Sequence, residues 1–191
     1  MSRTSRPVDR NLVLVGFMGS GKSTIGRRCA QALRFRFHDT DALVEHRAGK
    51  SVADIFAEDG EACFRALESD AVRDLARERR AVIATGGGVV MDSANVARLR
   101  RTGYVILLWA DAAEILARCG TRATRPLLAS AEDPAERITS LLARREPCYR
   151  SAAHAVVETT GLPREEAVER VLAAYHSLVE SSRHRHASNP A

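Results

Sequence analysis

The chain has 191 residues, a length that suits one compact domain and leaves little room for a second hydrophobic core. Hydrophobic residues make up 45% and charged residues 28%, values that exclude a globally disordered or collagen-like chain. The 29 basic residues exceed the 24 acidic ones and give a net charge of +5, which suits an anionic partner. Aromatic residues at only 5% argue against a surface that stacks nucleic-acid bases.

Both ends of the chain are polar, and the part between them is predicted to form one unit. We expect residues 1–10 and 181–191 to be flexible and residues 11–180 to form a single domain. No segment approaches the roughly 20 consecutive apolar residues that a membrane-spanning helix needs. The sequence therefore predicts a cytoplasmic protein without a membrane partner, and we expect a monomer.

In chain order, short apolar runs alternate with segments whose apolar residues recur at helical spacing. The predicted elements are a strand at 11–16, a helix at 23–33, a strand at 35–38, helices over 41–80 with breaks at Gly49 and Gly60, a strand at 81–85, a helix at 93–101, a strand at 104–109, a helix at 111–119, a polar loop at 120–130, a helix at 134–149, a strand at 155–157 and a helix from Pro163. Strands that alternate with helices and are apolar on both faces are typical of a parallel sheet covered on both sides. We therefore predict an α/β fold with a doubly wound, five-stranded parallel sheet flanked by helices.

The segment from Gly16 to Thr24 follows a predicted strand and opens a predicted helix. Its sequence, Gly-Phe-Met-Gly-Ser-Gly-Lys-Ser-Thr, fits the Gly-x4-Gly-Lys-[Ser/Thr] pattern of a P-loop in the context which that pattern requires. Backbone N–H groups of such a loop surround phosphate oxygens, while Lys22 reaches the β- and γ-phosphates and Ser23 ligates magnesium. The sequence thus predicts a nucleoside triphosphate and Mg²⁺ as ligands. The predicted binding residues are Gly19, Ser20, Gly21, Lys22, Ser23 and Thr24.

Two carboxylates, Asp39 and Asp41, stand at the end of the second predicted strand. Such a pair can direct one carboxylate at magnesium and the other at a substrate hydroxyl, but it is also typical of a helix cap or a turn. A P-loop alone does not separate a switch GTPase, a nucleic-acid motor and a small-molecule kinase. The strand at 81–85 ends in Thr85 and three glycines, whereas motors usually place an acidic residue at the end of a later strand. This difference disfavours a motor.

Six motifs occur in order between about Asn11 and Val171. They are the P-loop, Asp39-x-Asp41, Gly60-Glu61-x-x-Phe64-Arg65-x-x-Glu68, Thr85-Gly86-Gly87-Gly88, Arg125-Pro126-Leu127-Leu128 and Arg144-Arg145-x-Pro147-x-Tyr149. With these motifs the chain resembles the shikimate kinases, P-loop enzymes similar to nucleoside monophosphate kinases. The resemblance implies a P-loop NTPase fold with a mobile lid. It also implies transfer of the γ-phosphoryl group of ATP to the 3-hydroxyl of shikimate, in the pathway to chorismate and the aromatic amino acids.

The resemblance implies roles for residues around the acceptor. Asp41 would hold the hydroxyl groups of shikimate, and the helices at about 41–80 would form much of its binding site. Arg65 and Arg145 would bind the shikimate carboxylate, and Gly87 would contact the other side of the molecule through its backbone.

The resemblance also implies roles for residues around the nucleotide. Asp39 would act on magnesium through water, together with Ser23. A lid at 120–130 would bring Arg125 to the phosphates, and Arg118 would lie near the adenine. The predicted catalytic residues are Lys22, Asp41 and Arg125.

Two alternatives stay open beside this interpretation. One is a nucleotide-dependent nucleic-acid or switch protein, since the chain is basic and all but two of its basic residues are arginine. The other is a related kinase for a different hydroxy acid such as gluconate. The three-glycine run disfavours gluconate, as do Arg65 and Arg145, which come from separate predicted helices and suit the carboxylate of a small anion. We therefore expect shikimate as the partner, and no nucleic acid.

Overall fold

The computed structural model describes residues 10–119 and 133–187, with side chains over 10–118 and 133–184. Its strands are β1 (Asn11–Val15), β2 (Arg36–Asp39), β3 (Ala81–Ala84), β4 (Gly103–Trp109) and β5 (Ala155–Glu158). Its α-helices are α1 (Lys22–Leu33), α2 (Thr40–Ala48), α3 (Val52–Asp54), α4 (Gly60–Leu75), α5 (Ser93–Thr102), α6 (Ala112–Cys119), α7 (Pro134–Ala152) and α8 (Arg164–Ala187). The predicted lid at 120–130, with Arg125, lies outside the described residues.

All five strands are parallel and follow the order β2-β3-β1-β4-β5. The first strand lies at the centre of the sheet. Its Leu12 pairs with Val82 of β3 on one side and with Tyr104 of β4 on the other. Because the chain first places β2 and β3 on one side of β1 and then β4 and β5 on the other, the sheet is doubly wound, and the predicted fold class is confirmed.

Successive residues of β1 point to opposite faces of the sheet, and each face is covered by helices. Leu12 and Leu14 pack in a buried cluster with residues of α1 and α8, such as Ile25 and Val171. Val13 and Val15 pack in a second cluster with residues of α4, α5 and α7. Among the described residues, no helix is both long and apolar enough to cross a membrane.

Several element boundaries differ from the prediction. The helical segment predicted over 41–80 ends at Leu75 and contains a π-helical turn, Ile55–Asp59, where the sequence pattern predicts ordinary α-helix. Gly60 follows that turn with a φ of 83°, a left-handed conformation that favours glycine. At the other end of the chain, α8 continues to Ala187 and so extends into the segment from residue 181 for which we expect flexibility.

The carboxyl ends of the parallel strands meet at one edge of the sheet. The P-loop follows β1, Asp39 ends β2, and the Thr85–Gly88 segment follows β3. Open α/β sheets bind ligands in the crevice outside these strand ends, at the place where the strand order reverses. The fold therefore brings the predicted site residues of three separate segments to one place.

Candidate active site

The P-loop leaves β1 through a turn that depends on glycine. Gly16, Gly19 and Gly21 have φ values of 147°, 77° and 93°, which other residues rarely adopt. A Cβ atom at Gly16 would also collide with the carbonyl oxygen of Leu108 on β4. Gly21 caps α1 without a side chain, and the first turn of α1 contains no acidic residue. The N-terminus of α1 thus presents uncompensated partial positive charge, the arrangement that binds phosphate.

Lys22 is held against the loop to which it belongs. Its Nζ donates hydrogen bonds to the carbonyl oxygens of Gly16 and Phe17, both at 2.8 Å, and the residue is only 9% exposed. Its positive charge also opposes the rise that burial causes in the pKa of Asp41, so the ammonium group acts on the neighbouring site as well. Ser20 is buried, and its hydroxyl makes no hydrogen bond within the described residues.

Asp39 caps α2 and also contacts the P-loop. Its Oδ1 atom accepts hydrogen bonds from the backbone N–H groups of Asp41 and Ala42 and so caps α2. Its Oδ2 atom accepts a hydrogen bond of 2.6 Å from the hydroxyl of Ser23 in the P-loop. A hydroxyl and a carboxylate are hard oxygen donors that fit Mg²⁺, which usually keeps several waters and shares phosphate ligands. No cluster of three or more His, Cys, Asp or Glu residues suited to a metal occurs in the described part of the chain.

Asp41 stands in the first turn of α2 and lines the same cleft as Lys22. Its Oδ1 atom is buried and accepts no hydrogen bond from any described residue. Burial is the main cause that raises the pKa of Asp41 to about 6, with the charge of Asp39 adding to the rise and that of Lys22 opposing it. A carboxyl group with a pKa close to neutral can accept a proton from a substrate hydroxyl. Asp41 is therefore a candidate general base.

The three glycines after β3 have close neighbours, but their backbone conformation does not call for glycine, since none of them has a positive φ. A Cβ atom would meet the carboxylates of Asp41 and Glu68 at Gly86, the backbone nitrogen of Met18 at Gly87, and the guanidinium of Arg65 at Gly88. The segment thus passes between the P-loop and the side chains of α2 and α4.

Glu68 is a site residue for which the sequence analysis predicts no role. It is 1% exposed, its Oε2 atom accepts a hydrogen bond of 2.7 Å from Arg65, and its Oε1 atom has no partner within the described residues. Burial raises the pKa of Glu68 above its usual range, and the charges of Arg65 and Arg145 oppose that rise. The spacing of three residues between Arg65 and Glu68 on one helix is the signal that indicates their ion pair.

The two arginines predicted to bind a carboxylate come together around Glu68, from α4 and α7. Arg65 also pairs with Glu61 at 3.0 Å, and its side chain is 28% exposed. Arg145 is 6% exposed, its guanidinium lies 5.9 Å from the centre of the Phe17 ring, and its Nε atom has no partner among the described residues. Arg65 lies against Gly88, and Arg145 is hydrogen-bonded to Tyr149, whose hydroxyl donates to the carbonyl oxygen of Gly87.

Arg118 and its neighbours form another part of the wall of the cleft. Arg118 donates hydrogen bonds to the carbonyl oxygen of Thr159 at 2.6 Å and to Glu114 at 2.8 Å. One cleft of about 680 Å³ is lined by Arg118 and Thr159 together with P-loop residues, Asp41 and Gly87. The cleft thus brings the predicted nucleotide residues together with two of the predicted acceptor residues, Asp41 and Gly87, whereas Arg65 and Arg145 are not among the residues that line it. Predicted Arg125 falls outside the described residues.

The chain is similar to known proteins in sequence and in fold. The family model for shikimate kinase matches residues 18–176. A shikimate kinase of Caldanaerobacter subterraneus subsp. tengcongensis is 48% identical over 169 residues, which cover 88% of this chain and 98% of that protein. The structure of a shikimate kinase from Acinetobacter baumannii in complex with shikimate matches with a TM-score of 0.84 at 34% identity, over 88% of this chain and 93% of that one. A gluconokinase from Sinorhizobium meliloti 1021 matches with a TM-score of 0.56 at 18% identity, over 94% of this chain and 99% of that one, and shares the fold alone.

Proposed function

The chain belongs to the shikimate kinase family, and we propose how its residues carry out the reaction of that family, the transfer of the γ-phosphoryl group of ATP to the 3-hydroxyl of shikimate. The products are shikimate 3-phosphate and ADP, on the route to chorismate and the aromatic amino acids. The observation that carries the residue assignments is the position of the Asp41 carboxylate. Its Oδ1 atom lies buried against Gly86, in the cleft that Lys22 and Ser23 also line.

We assign the triphosphate to the P-loop and the N-terminus of α1. Lys22 neutralises charge on the β- and γ-phosphates, which is the main demand that phosphoryl transfer makes on a protein. We also assign Arg125, which lies outside the described residues, to the phosphates as a second cation, and Arg118 to the nucleoside. The assignment of the triphosphate is supported by the N-terminus of α1, which has no side-chain cap and no acidic residue in its first turn, and by the position of Lys22 against the P-loop.

Asp41 is the proposed catalytic base for the acceptor. The proton of the 3-hydroxyl passes to Asp41 Oδ1, and the hydroxyl oxygen forms a bond to the γ-phosphorus. The bond between the γ-phosphorus and the bridging oxygen breaks, and ADP leaves with that oxygen. The raised pKa of Asp41, about 6, supports this role because the group is ionised at neutral pH and is close in pKa to the operating range.

The carboxylate of shikimate is assigned to Arg65 and Arg145, and the backbone of Gly87 to the opposite side of the molecule. Support comes from the Arg65 guanidinium beside Gly88, which Glu68 holds at 2.7 Å, and from Arg145, which is hydrogen-bonded to Tyr149. Planar guanidinium groups bind carboxylates through paired hydrogen bonds. A small acid with its carboxylate at this end directs its hydroxyl groups toward Asp41.

The fit of oxygen donors at Ser23 and Asp39 supports magnesium as the metal. Ser23 and Asp39 would hold the ion, Asp39 through water. When bound, Mg²⁺ supplies positive charge that offsets the negative charge of the phosphates.

We further propose that the protein is a cytoplasmic monomer and that it acts on a small molecule and not on nucleic acid, since aromatic residues, which stack nucleic-acid bases, make up only 5% of the chain. Release of ADP in a coupled assay tests the assignment with shikimate, gluconate and single-stranded RNA as separate additions. Of the three additions, only shikimate should accelerate ADP release. A comparable rate with gluconate, or stimulation by RNA, would contradict the proposed acceptor, and size-exclusion chromatography tests the monomer.

A further inference from the structure

Tyr149 is a buried residue of α7 that the proposed reaction does not use. Its hydroxyl donates a hydrogen bond to the carbonyl oxygen of Gly87. Burial raises the pKa of Tyr149 to about 12, and the charge and hydrogen bond of the neighbouring Arg145 oppose that rise. Because residues four apart lie on one face of a helix, Tyr149 and Arg145 approach the three-glycine segment together.

The hydrogen bond from Tyr149 fixes the peptide between Gly87 and Gly88. In a trans peptide, the carbonyl oxygen of one residue and the N–H of the next point in opposite directions, and the described residues contain no cis peptide. Since the Gly87 carbonyl oxygen turns toward the buried Tyr149 hydroxyl, the N–H of Gly88 turns away from it. The N–H groups of Gly87 and Gly88 donate to no other group in the described part of the chain.

Three consecutive glycines have no side chains with which to hold their own conformation, and glycine has the widest backbone freedom of all residues. Other groups must therefore fix the segment. Gly86 donates its N–H to the hydroxyl of Thr40 at 2.7 Å, and the carbonyl oxygen of Gly88 accepts from the N–H of Met91 at 3.0 Å. Between these two anchors, the Gly87 carbonyl is held by the Tyr149 hydroxyl.

We propose that Tyr149 is a positioning residue for the acceptor: its hydroxyl orients the Gly87–Gly88 peptide so that the Gly88 N–H donates to an oxygen of shikimate, beside the guanidinium groups of Arg65 and Arg145. This inference rests on the proposed acceptor site. Tyr149 does not touch the substrate itself. Its effect passes through a peptide that would otherwise rotate, and it is specific to the acceptor because the nucleotide is held by other residues.

The substitution Tyr149→Phe tests the proposal because it removes the hydroxyl and keeps the ring. The Kd for shikimate, measured by titration calorimetry, should rise roughly three- to tenfold, as expected for the loss of one hydrogen bond. The Kd for a non-hydrolysable ATP analogue should stay the same. The matched control is Tyr175→Phe, because Tyr175 is also buried and also donates to a backbone carbonyl, that of Arg10 at 2.7 Å, but does not line the cleft. It should lose stability without any change in shikimate binding.

A second measurement uses the wild-type chain and does not depend on the folding of a variant. In ¹⁵N-labelled protein, shikimate should shift the Gly88 amide proton downfield, as a newly formed hydrogen bond does. An unmoved Gly88 resonance at saturating shikimate would overturn the proposal, as would equal losses of shikimate and nucleotide binding in Tyr149→Phe. If the wild-type chain binds shikimate and Tyr149→Phe binds it equally well, the role of Tyr149 is overturned but the proposed acceptor site is not. No shikimate binding by the wild-type chain would overturn the proposed acceptor site and this inference with it.

Discussion

The Oδ1 atom of Asp41 and the Oε1 atom of Glu68 both occupy the space into which a Cβ atom on Gly86 would project. The two carboxylates come from different helices, α2 and α4, and neither of these oxygens accepts a hydrogen bond from a described residue. The charge of Glu68 is one of the influences that raise the pKa of Asp41, after burial and Asp39. The absence of a side chain at Gly86 therefore allows Glu68 to come close enough to Asp41 to raise its pKa.

The substitution Gly86→Ala should lower kcat by roughly 10²-fold, since a displacement of about 1 Å in a catalytic group has effects of that size. The new methyl group would move the carboxylates of Asp41 and Glu68, but the backbone of Gly86 does not need a positive φ, so the fold should persist. Steady-state kinetics with shikimate measure the loss, and binding of an ATP analogue serves as the internal control. A variant with unchanged kcat would show that the two carboxylates tolerate displacement.

Removal of the P-loop ammonium in Lys22→Ala should reduce phosphoryl transfer by about 10³-fold, the size of comparable electrostatic contributions in other enzymes. The matched control is Lys50→Ala, at the only other lysine of the chain. Lys50 pairs with Glu58 and Asp59 at the surface, outside the lining of the cleft. Turnover of Lys50→Ala should be normal. Near-normal turnover of a folded Lys22→Ala would refute the role of Lys22 at the phosphates.

The value of kcat/KM should fall as the pH drops below about 6. The proposed base accepts a proton only when Asp41 is ionised, and burial has raised its pKa to about 6. The value of kcat/KM should therefore fall roughly tenfold for each unit of pH well below that pKa, and it should become level about one unit above it. In Asp41→Asn the residual rate should lose this acidic limb and be lower by about 10² to 10⁴-fold. Measurements of kcat/KM between about pH 5 and 8 in the wild-type protein and in Asp41→Asn test the assignment. If kcat/KM of Asp41→Asn still falls below about pH 6, the group that titrates is not Asp41.

The same substitution should stabilise the fold at neutral pH. The pKa of Asp41 is about 6 in the folded protein and 3.8 in a model compound, so the ionised form is disfavoured in the folded state. The ionised Asp41 therefore lowers the free energy of unfolding. The loss is complete above about pH 6, becomes smaller as the pH falls toward 3.8, and is absent below that value. Asp41→Asn should gain on the order of 1 to 3 kcal/mol in the free energy of unfolding at pH 7, and close to nothing near pH 4. Urea denaturation at the two pH values measures the difference. A loss of stability at pH 7 would show that the carboxylate is favourably held.

The sequence predicts those parts of the site in which the functional residues are close together along the chain. A P-loop requires its glycines, Lys22 and Ser23 in one short segment, so the pattern appears directly in the sequence. The strands can also be predicted from short segments of sequence, because continuous apolar runs are typical of buried parallel strands. Asp39 and Asp41 are visible as a pair, but only the fold shows that Asp39 accepts from Ser23 while Asp41 lies buried at Gly86.

The parts that the sequence does not predict depend on contacts between distant segments. Glu68 and Tyr149 both belong to motifs of the chain, but their function follows from burial against Gly86 and Gly87, which no local pattern encodes. The π-helical turn at Ile55–Asp59 is set by packing, since the buried Ile55 belongs to a cluster with Val44 and Phe64. The extension of α8 past residue 181 escapes prediction because a polar sequence suits an exposed helix as well as a frayed end.

Loss of either acceptor arginine should weaken shikimate binding by roughly ten- to a hundredfold, since a hydrogen bond to a charged group contributes about 1.5 to 3 kcal/mol. Calorimetric titration of Arg65→Ala and Arg145→Ala should show this loss with shikimate and almost none with a non-hydrolysable ATP analogue. Lysine at either position should restore little, because a point charge lacks the planar fork. Arg73→Ala on α4 and Arg150→Ala on α7 are the matched controls, since both side chains are about half exposed and pair within their own helix. Equal losses for both ligands would indicate a diffuse effect of charge. Unchanged shikimate binding would place the carboxylate elsewhere.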